Sequence, residues 1–294
     1  MGFVVKEFDV NDVKLIDFLI KELGFSMREA KRAIDRGRVS VNDKRITQKG
    51  ARVSGKLKCI IFEPNGYGLK PIFETTHFGV FNKPSGVAVH PKKLANTKSL
   101  LDDVRNLWGS EANLVHRLDK ETSGLIIASK NKFAESYLKV AFQNKDVKKK
   151  YLALVKGHLD KKYTIKKPIA VNKDENIKVK VVISDEGKEA ITIIKPIKQI
   201  GKNTLVECIP LTGRQHQIRI HLFSIGYPIV GDPLYGIDND FANRYLNKLV
   251  DEKERIAKTG AKRLMLHAYY LEFEFMNNKY ILTNREFEKE LSQY

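Results

Sequence analysis

Two cysteines stand among 294 residues, Cys59 and Cys208, far apart and each inside an apolar, strand-like run. That is too few and too scattered for a disulfide framework or a thiolate metal site, so buried free thiols are expected. No apolar stretch approaches the ~20 residues that a membrane-spanning helix needs. The first dozen residues mix charges with single apolar side chains and lack a signal-peptide core, which makes the cytoplasm the expected address. The chain has no Gly-rich phosphate loop, no serine-nucleophile elbow and no Cys/His cluster at metal-ligand spacing. Its chemistry is therefore expected to run on ordinary side chains, with no metal and no cofactor.

Acids are the other shortage. Lys+Arg number 53 against 35 Asp+Glu, a formal net charge of +18. Solubility alone asks for about 2–8 charges on a small domain. The excess points to an anionic partner, nucleic acid first. A generally Lys-rich composition is the bland alternative. The length and a hydrophobic share of 42% suffice for one large domain or two ordinary ones.

Residues 1–63 read as a small unit. Leu15, Phe18, Leu19 and Leu23 recur at helical spacing. Ser26-Met27-Arg28-Glu29 is a capping box opening a helix that buries Ala30, Ala33 and Ile34 and closes at Gly37. Val39 to Asn42 alternates like a strand with a turn at Asn42-Asp43-Lys44, and Lys56 to Phe62 reads as the unit's last strand. Arg28, Lys31, Arg32 and Arg36 lie on the helix side away from its apolar stripe, a spacing that predicts a phosphate-contacting surface. Residues 64–71 are rich in Gly and Pro and read as a linker. Residues 72–294 mix strands (near 77–82, 124–129, 151–156, 177–183, 189–195, 203–210, 269–275 and 279–283) with helices (near 131–143, 214–225 and 240–258). The absence of regular alternation predicts an α+β fold: a large domain on a mixed, mostly antiparallel sheet with flanking helices, after a small N-terminal α/β domain.

Three segments could carry chemistry. His116-Arg117-Leu118-Asp119-Lys120-Glu121-Thr122-Ser123-Gly124 sets one carboxylate among cations and turn formers, just ahead of the apolar run Leu125 to Ala128. Arg117 and Lys120 could hold phosphates while Asp119 stays free to react; local capping by Asp119 is the alternative. Lys148-Lys149-Lys150-Tyr151 enters a strand, where Tyr151 is either a half-buried core ring or a platform for a nucleobase, with the lysines on phosphates. Gly213 to Leu222 looks like a turn opening a helix on which His216 and Arg219 share a side. Arg219 there could pair bidentately with a carboxylate. Metal binding by His216 and His221 is disfavoured by their spacing. In the turn-rich segment Phe81 to Pro91, which includes Asn82-Lys83-Pro84-Ser85-Gly86, Lys83 or His90 could touch RNA, or the Pro84-Ser85-Gly86 turn is structural. The turn cluster Gly231-Asp232-Pro233-Leu234-Tyr235-Gly236 is assigned no chemistry.

Four segments, in this order, resemble the RluA family of pseudouridine synthases: 82–86, 116–124, 149–157 and 213–221, the last reading Gly-Arg-Gln-His-Gln-Ile-Arg-Ile-His. Residues 14–62, with Gly37-Arg38-Val39-Ser40-Val41-Asn42 as marker, are similar to the small RNA-binding domain first described in ribosomal small-subunit protein four. The resemblance implies that Asp119 is the catalytic aspartate, that Tyr151 stacks on the target base and that Arg219 is the ion-pair partner of Asp119. It implies that Arg117 fills the gap left by an extruded uridine, that no cofactor is used, and that a monomer acts on structured RNA, above all large-subunit ribosomal RNA. A synthase for transfer RNA and a non-catalytic ribosome-assembly protein are the competing expectations. Gln215, where Thr is more usual, and a tail without a His-Pro-like ending depart from the pattern without touching these positions.

Overall fold

The structure, a computed structural model, describes residues 4–61, 63, 66–91, 97–172 and 179–294, the side chain of Gln293 excepted. Pro64 and Asn65 of the expected linker, and the start of the strand expected near 177, lie outside these. Contacts divide the chain into Met1–Asn65 with Pro91–Lys98, and Gly66–His90 with Ser99–Tyr294.

The smaller unit comprises β1 (Val4–Lys14), α1 (Leu15–Lys21), α2 (Met27–Asp35), β2 (Val39–Val41), β3 (Lys44–Arg45) and β4 (Arg52–Ile61). The capping box forms as its residues dictate: Ser26 Oγ accepts the Glu29 N–H and the Glu29 carboxylate accepts the Ser26 N–H. Ala30, Ala33 and Ile34 then pack with Leu15, Leu19 and Leu57 in one core. Asn42 and Asp43, at φ 49 and 62, make the tight turn between β2 and β3. The long strand β1, antiparallel to β4 from Val4↔Ile61 to Lys14↔Arg52, was not expected. Its apolar residues are few, Val4, Phe8, Val10 and Val13 lie only partly buried against the core, and pairing with β4 makes it a strand.

The larger unit contains β5 (Phe73–Glu74), β6 (Phe78–Lys83), α3 (Leu100–Trp108), β7 (Asn113–Leu114), β8 (Ser123–Ser129), α4 (Lys132–Gln143) and β9 (Lys148–Lys156). There follow β10 (Tyr163–Lys166), β11 (Ile169–Val171), β12 (Val181–Ile183), β13 (Ile191–Ile200), β14 (Asn203–Pro210), α5 (Gln217–Ser224), α6 (Asn239–Leu246), α7 (Glu252–Thr259), β15 (Leu266–Phe275), β16 (Asn278–Thr283) and α8 (Glu286–Lys289). Its ten-stranded sheet runs β10-β13-β14-β9-β15-β8-β6-β5, with β16 on β15 and β7 on β8. Every pairing among the described residues is antiparallel except β15 with β8. The fold is thus α+β with a mixed, mostly antiparallel sheet. Residues 66–71 belong to this unit rather than to a free linker: the Gly68 and Leu69 N–H groups donate to Asp103 Oδ1 at 2.7 and 3.3 Å. The helix expected over 240–258 is two, because Lys248 sits at φ 62 and Asp251 starts α7 by accepting the Glu254 N–H. Both cysteines are buried and free. No helix among the described residues is long and apolar enough to cross a membrane.

The sheet order matters for the site. The C-terminal strand β15 slots between β8 and β9, so Ala268 pairs with Gly124 on one side and Tyr151 on the other. Gly124, at φ 111, has to be glycine here: a Cβ would lie 2.3 Å from the Ala268 carbonyl oxygen. β8 is buried along its whole length, as its unbroken apolar run requires of a central strand.

Candidate active site

Asp119 sits in the loop that leads from β7 into β8, where the Thr122 N–H closes a turn on its carbonyl at 3.1 Å. The loop is fastened to the Asn82–Gly86 turn. Lys83, fully buried, donates its ammonium to the carbonyls of Pro84, Val87 and Lys120 at 2.9, 2.9 and 3.1 Å. Burial pushes Lys83 down to about 7, against the pull of Glu121 and Asp119. Three acceptors around one nitrogen fit the three N–H bonds of the charged form. Ser85 Oγ donates to the Glu121 carbonyl at 2.6 Å and the Gly86 N–H to that of Lys120 at 2.9 Å. Lys83 is therefore a fastener and not an RNA contact. His116 anchors the other end: its Nε2 accepts the Ile127 N–H at 3.0 Å, and its ring stacks on Phe142 at 4.3 Å. Burial holds His116 neutral, down to about 3.

On this frame the Asp119 side chain keeps 19% of its surface exposed, enough to meet a substrate. Arg219, from α5, is 2% exposed and brings Nη1 to 3.6 Å from Asp119 Oδ2. Its strong bonds go elsewhere. Nε and Nη2 donate to Asp232 at 2.8 and 2.7 Å, a buried bidentate pair, and the Tyr235 ring lies 5.2 Å from its guanidinium carbon. Asp232 Oδ1 also accepts the Leu234 and Tyr235 N–H groups at 2.8 and 3.1 Å. Burial opposes ionisation of both partners, yet mutual attraction raises the Arg219 pKa and lowers that of Asp232. Tyr151 enters beside this group on β9, packed against the cluster that holds Leu118 and Ala268. Burial first, then the Asp119 charge, push its phenol up. Asp119, Tyr151 and Arg219, separate in sequence, thus converge.

Residues 77–224 match the family of RNA pseudouridylate synthases, and residues 14–57 match the S4 domain. A relative from Helicobacter pylori strain J99, an uncharacterized RNA pseudouridine synthase, is 39% identical over 285 residues, 95% of this chain and 94% of the relative. The ribosomal large subunit pseudouridine synthase C of Buchnera aphidicola is 38% identical over 69% of this chain and 61% of its own length. Among solved structures, human RNA pseudouridylate synthase domain containing 1 superposes with a TM-score of 0.59 at 27% identity, covering 76% of this chain and 86% of that one.

The chain is an RNA pseudouridine synthase of the RluA type. Its reaction is an isomerisation, its substrate is RNA, and its N-terminal unit is an S4 domain.

Sequence reasoning missed two parts of the synthase's site. Asp232, in a turn assigned no chemistry, is the main partner of Arg219. The turn can reach Arg219 because Gly231, at φ 78, lets the backbone pass where a Cβ would meet the Arg263 carbonyl oxygen at 1.8 Å. Helical spacing puts His216 on one face with Arg219, but α5 starts one residue later and His216 is left-handed at φ 51. Its Nε2 nevertheless lies 3.9 Å from Asp119 Oδ2. His221 is structural, held by Thr192 Oγ1 at 2.8 Å and the Lys167 carbonyl at 3.0 Å.

On the RNA-facing candidates, Arg117 and Lys120 are exposed beside Asp119. Of the three lysines before Tyr151, Lys148 pairs with Glu272 at 2.9 Å and Lys150 with Glu207 at 3.8 Å. In the S4 domain, Arg28, Lys31, Arg32 and Arg36 are exposed and line a concavity of about 660 Å³ with Asp35 and Lys49. The one acid of that lining, Asp35, is paired with Lys49 at 2.9 Å, which leaves the rim basic.

Proposed function

We propose that this synthase isomerises uridine in large-subunit ribosomal RNA, with Asp119 acting on the ribose, Tyr151 stacked on the base and Arg219 holding the carboxylate's direction. The observation that carries the site is the meeting of a partly exposed Asp119 with a buried Arg219 at 3.6 Å, the guanidinium being locked from behind by Asp232. Support for the RNA class comes from relatives named large subunit synthases C and D and from the basic helix of the S4 domain, with Arg28, Lys31, Arg32 and Arg36 on phosphates.

Chemically, the bond from ribose C1′ to base N1 breaks, the base turns, and C1′ joins C5. The proton lost from C5 is balanced by one gained at N1. Asp119 either attacks C1′ or takes the C2′ proton to leave a glycal; both routes need an ionised carboxylate with one oxygen unobstructed. The uridine must first leave its stack, at about a few kcal/mol. Arg117, exposed two residues before Asp119, fills the vacated space, and Tyr151 receives the base with the sequence tolerance of stacking. The test is pseudouridine mapping, with a label specific for that base, in RNA from cells lacking the gene and complemented with wild type or Asp119→Asn. Sites lost from large-subunit RNA and restored only by wild type are expected. Restoration by the Asn variant removes the assignment of Asp119, and losses confined to transfer RNA remove the ribosomal target.

A further inference from the structure

His216 points at Asp119 and has no task in the steps above. It stands at φ 51, ψ 18, immediately before α5, a left-handed conformation that a non-glycine residue adopts at a cost of about 1–2 kcal/mol. Its side chain is 8% exposed, with Nε2 3.9 Å from Asp119 Oδ2 and Nδ1 3.0 Å from the Tyr235 hydroxyl. The charged and titratable groups around the ring are Arg219, Asp119, Asp232, Arg117 and Tyr235. Burial, then the Arg219 charge, hold it down to about 4, so the ring is neutral at neutral pH and carries one proton.

The neighbouring hydrogen bonds favour one place for that proton. The Tyr235 hydroxyl accepts the Val181 N–H at 3.0 Å. Its own hydrogen has two acceptors, His216 Nδ1 at 3.0 Å and the Val181 carbonyl at 3.5 Å, and the nearer one wins. With Nδ1 accepting this shorter bond, the ring N–H is on Nε2, facing the carboxylate, which is the tautomer that donation to Asp119 requires. An aspartate's terminal torsion is broad and two-fold, so a guanidinium 3.6 Å from one oxygen does not by itself fix which oxygen faces outward.

We propose that His216 is a positioning residue for Asp119: its Nε2–H and Arg219 Nη1 converge on the same oxygen, Oδ2, and leave Oδ1 to the ribose of the target uridine. The proposal rests on Asp119 being the catalytic aspartate. At 3.9 Å the imidazole contact is too long for a hydrogen bond in the free enzyme, and it closes when RNA binds, as catalytic contacts commonly do.

The test is steady-state kinetics, on an RNA that the wild type converts, with His216→Ala, His216→Gln, Tyr235→Phe and Asp119→Asn, each checked for folding by thermal melting. His216→Ala is expected to lower kcat about 10- to 100-fold, the worth of a hydrogen bond to a charged group, with KM for RNA within about twofold. Gln offers an N–H at the position of Nε2 and should recover most of that loss. Tyr235→Phe, which frees the tautomer but keeps the ring, should fall between. A wild-type kcat in His216→Ala overturns the proposal, as does a Gln variant that folds normally yet is no better than Ala. Should the Ala variant fail to fold, an unchanged kcat in Tyr235→Phe overturns it. Asp119→Asn separates the two claims: if it is inactive while the His216 variants are normal, only the role of His216 fails; if it is active, the catalytic assignment fails first.

Discussion

Replacing Asp232 by Asn isolates the buried charge on which the site is built. Asn keeps the shape and the Oδ1 carbonyl that serves the Leu234 and Tyr235 N–H groups and Arg219 Nη2, but it sets an amide donor against Arg219 Nε and removes the charge. Arg219 and Asp232 are 2% and 1% exposed, so solvent cannot replace the lost carboxylate. Removing one member of such a pair costs about 3–5 kcal/mol. At about 2–4 °C per kcal/mol for a domain of this size, the larger unit should melt roughly 6–20 °C lower. Trp108 is the only tryptophan of the chain and packs on Phe81 in that unit, so its fluorescence reports this unit and not the S4 domain. Turnover should fall further than stability requires, because the freed edge of the guanidinium turns onto Asp119 and occupies the carboxylate proposed to react. A companion variant, Arg219→Met with Asp232→Leu, removes both buried charges and should be much closer to wild type in stability, though inactive. A loss below about 1 kcal/mol for Asp232→Asn with normal turnover would refute the claim that Asp232 holds Arg219.

Three further outcomes follow from particular contacts. His116, His216 and His267 are held by burial at about 3, 4 and 4, whereas an unfolded histidine titrates near about 6.5. The unfolded chain thus binds more protons between these values. Stability is full above about pH 6.5 and falls by roughly 1.4 kcal/mol per pH unit for each residue down to about pH 4; a urea midpoint unchanged between pH 7.5 and 5 contradicts this. Changing Arg28, Lys31, Arg32 and Arg36 together to Gln should lower the slope of log affinity against log salt by roughly 3, at about 0.7–0.9 per lost phosphate contact, and filter binding at several salt concentrations reads it directly. Gly124→Ala drives a methyl into the Ala268 backbone and should cost about 2–5 kcal/mol by denaturant titration. Gly86→Ala, equally left-handed at φ 85 but with open space around it, should cost only about 1 kcal/mol, and similar losses at the two positions would mean that strain rather than close approach sets the price.

Much of this was legible in the residues, for a physical reason in each case. The capping box, the α2 core positions and the apolar run of β8 are local patterns whose chemistry is complete within a few residues. Asp119, Tyr151 and Arg219 could be named from their segments as candidates, and the structure brings them together, whereas Lys148 and Lys150, expected on phosphates, pair with Glu272 and Glu207. What was not legible depends on distant partners. β1 is a strand because β4 lies beside it. Arg219 chooses Asp232 over Asp119 because a turn thirteen residues on, reading like any surface turn, is folded inward through Gly231. Helical spacing misplaced His216, since a single left-handed residue breaks the period while still aiming the ring at the same carboxylate. The insertion of β15 between β8 and β9, which sets Gly124 and Tyr151 on either side of Ala268, is a property of topology that no segment carries alone.

If Asp119 acts as proposed, the division of Arg219 between two acids explains how its carboxylate can be both oriented and reactive. Had Asp119 received the bidentate bonds, its oxygens would be occupied and its charge quenched at the moment its proposed role requires it to attack or take a proton. Asp232 takes them instead, with two backbone N–H groups fixing its own position. Asp119 is left with one guanidinium nitrogen at 3.6 Å, close enough to set a direction and too far to form a full bond. A buried ion pair of this kind adds little net stability over apolar residues of the same shape. Its use here is electrostatic: a permanent positive charge, held rigid in a dry interior, stands ready beside the acid before RNA arrives and need not reorganise when the glycosidic bond breaks.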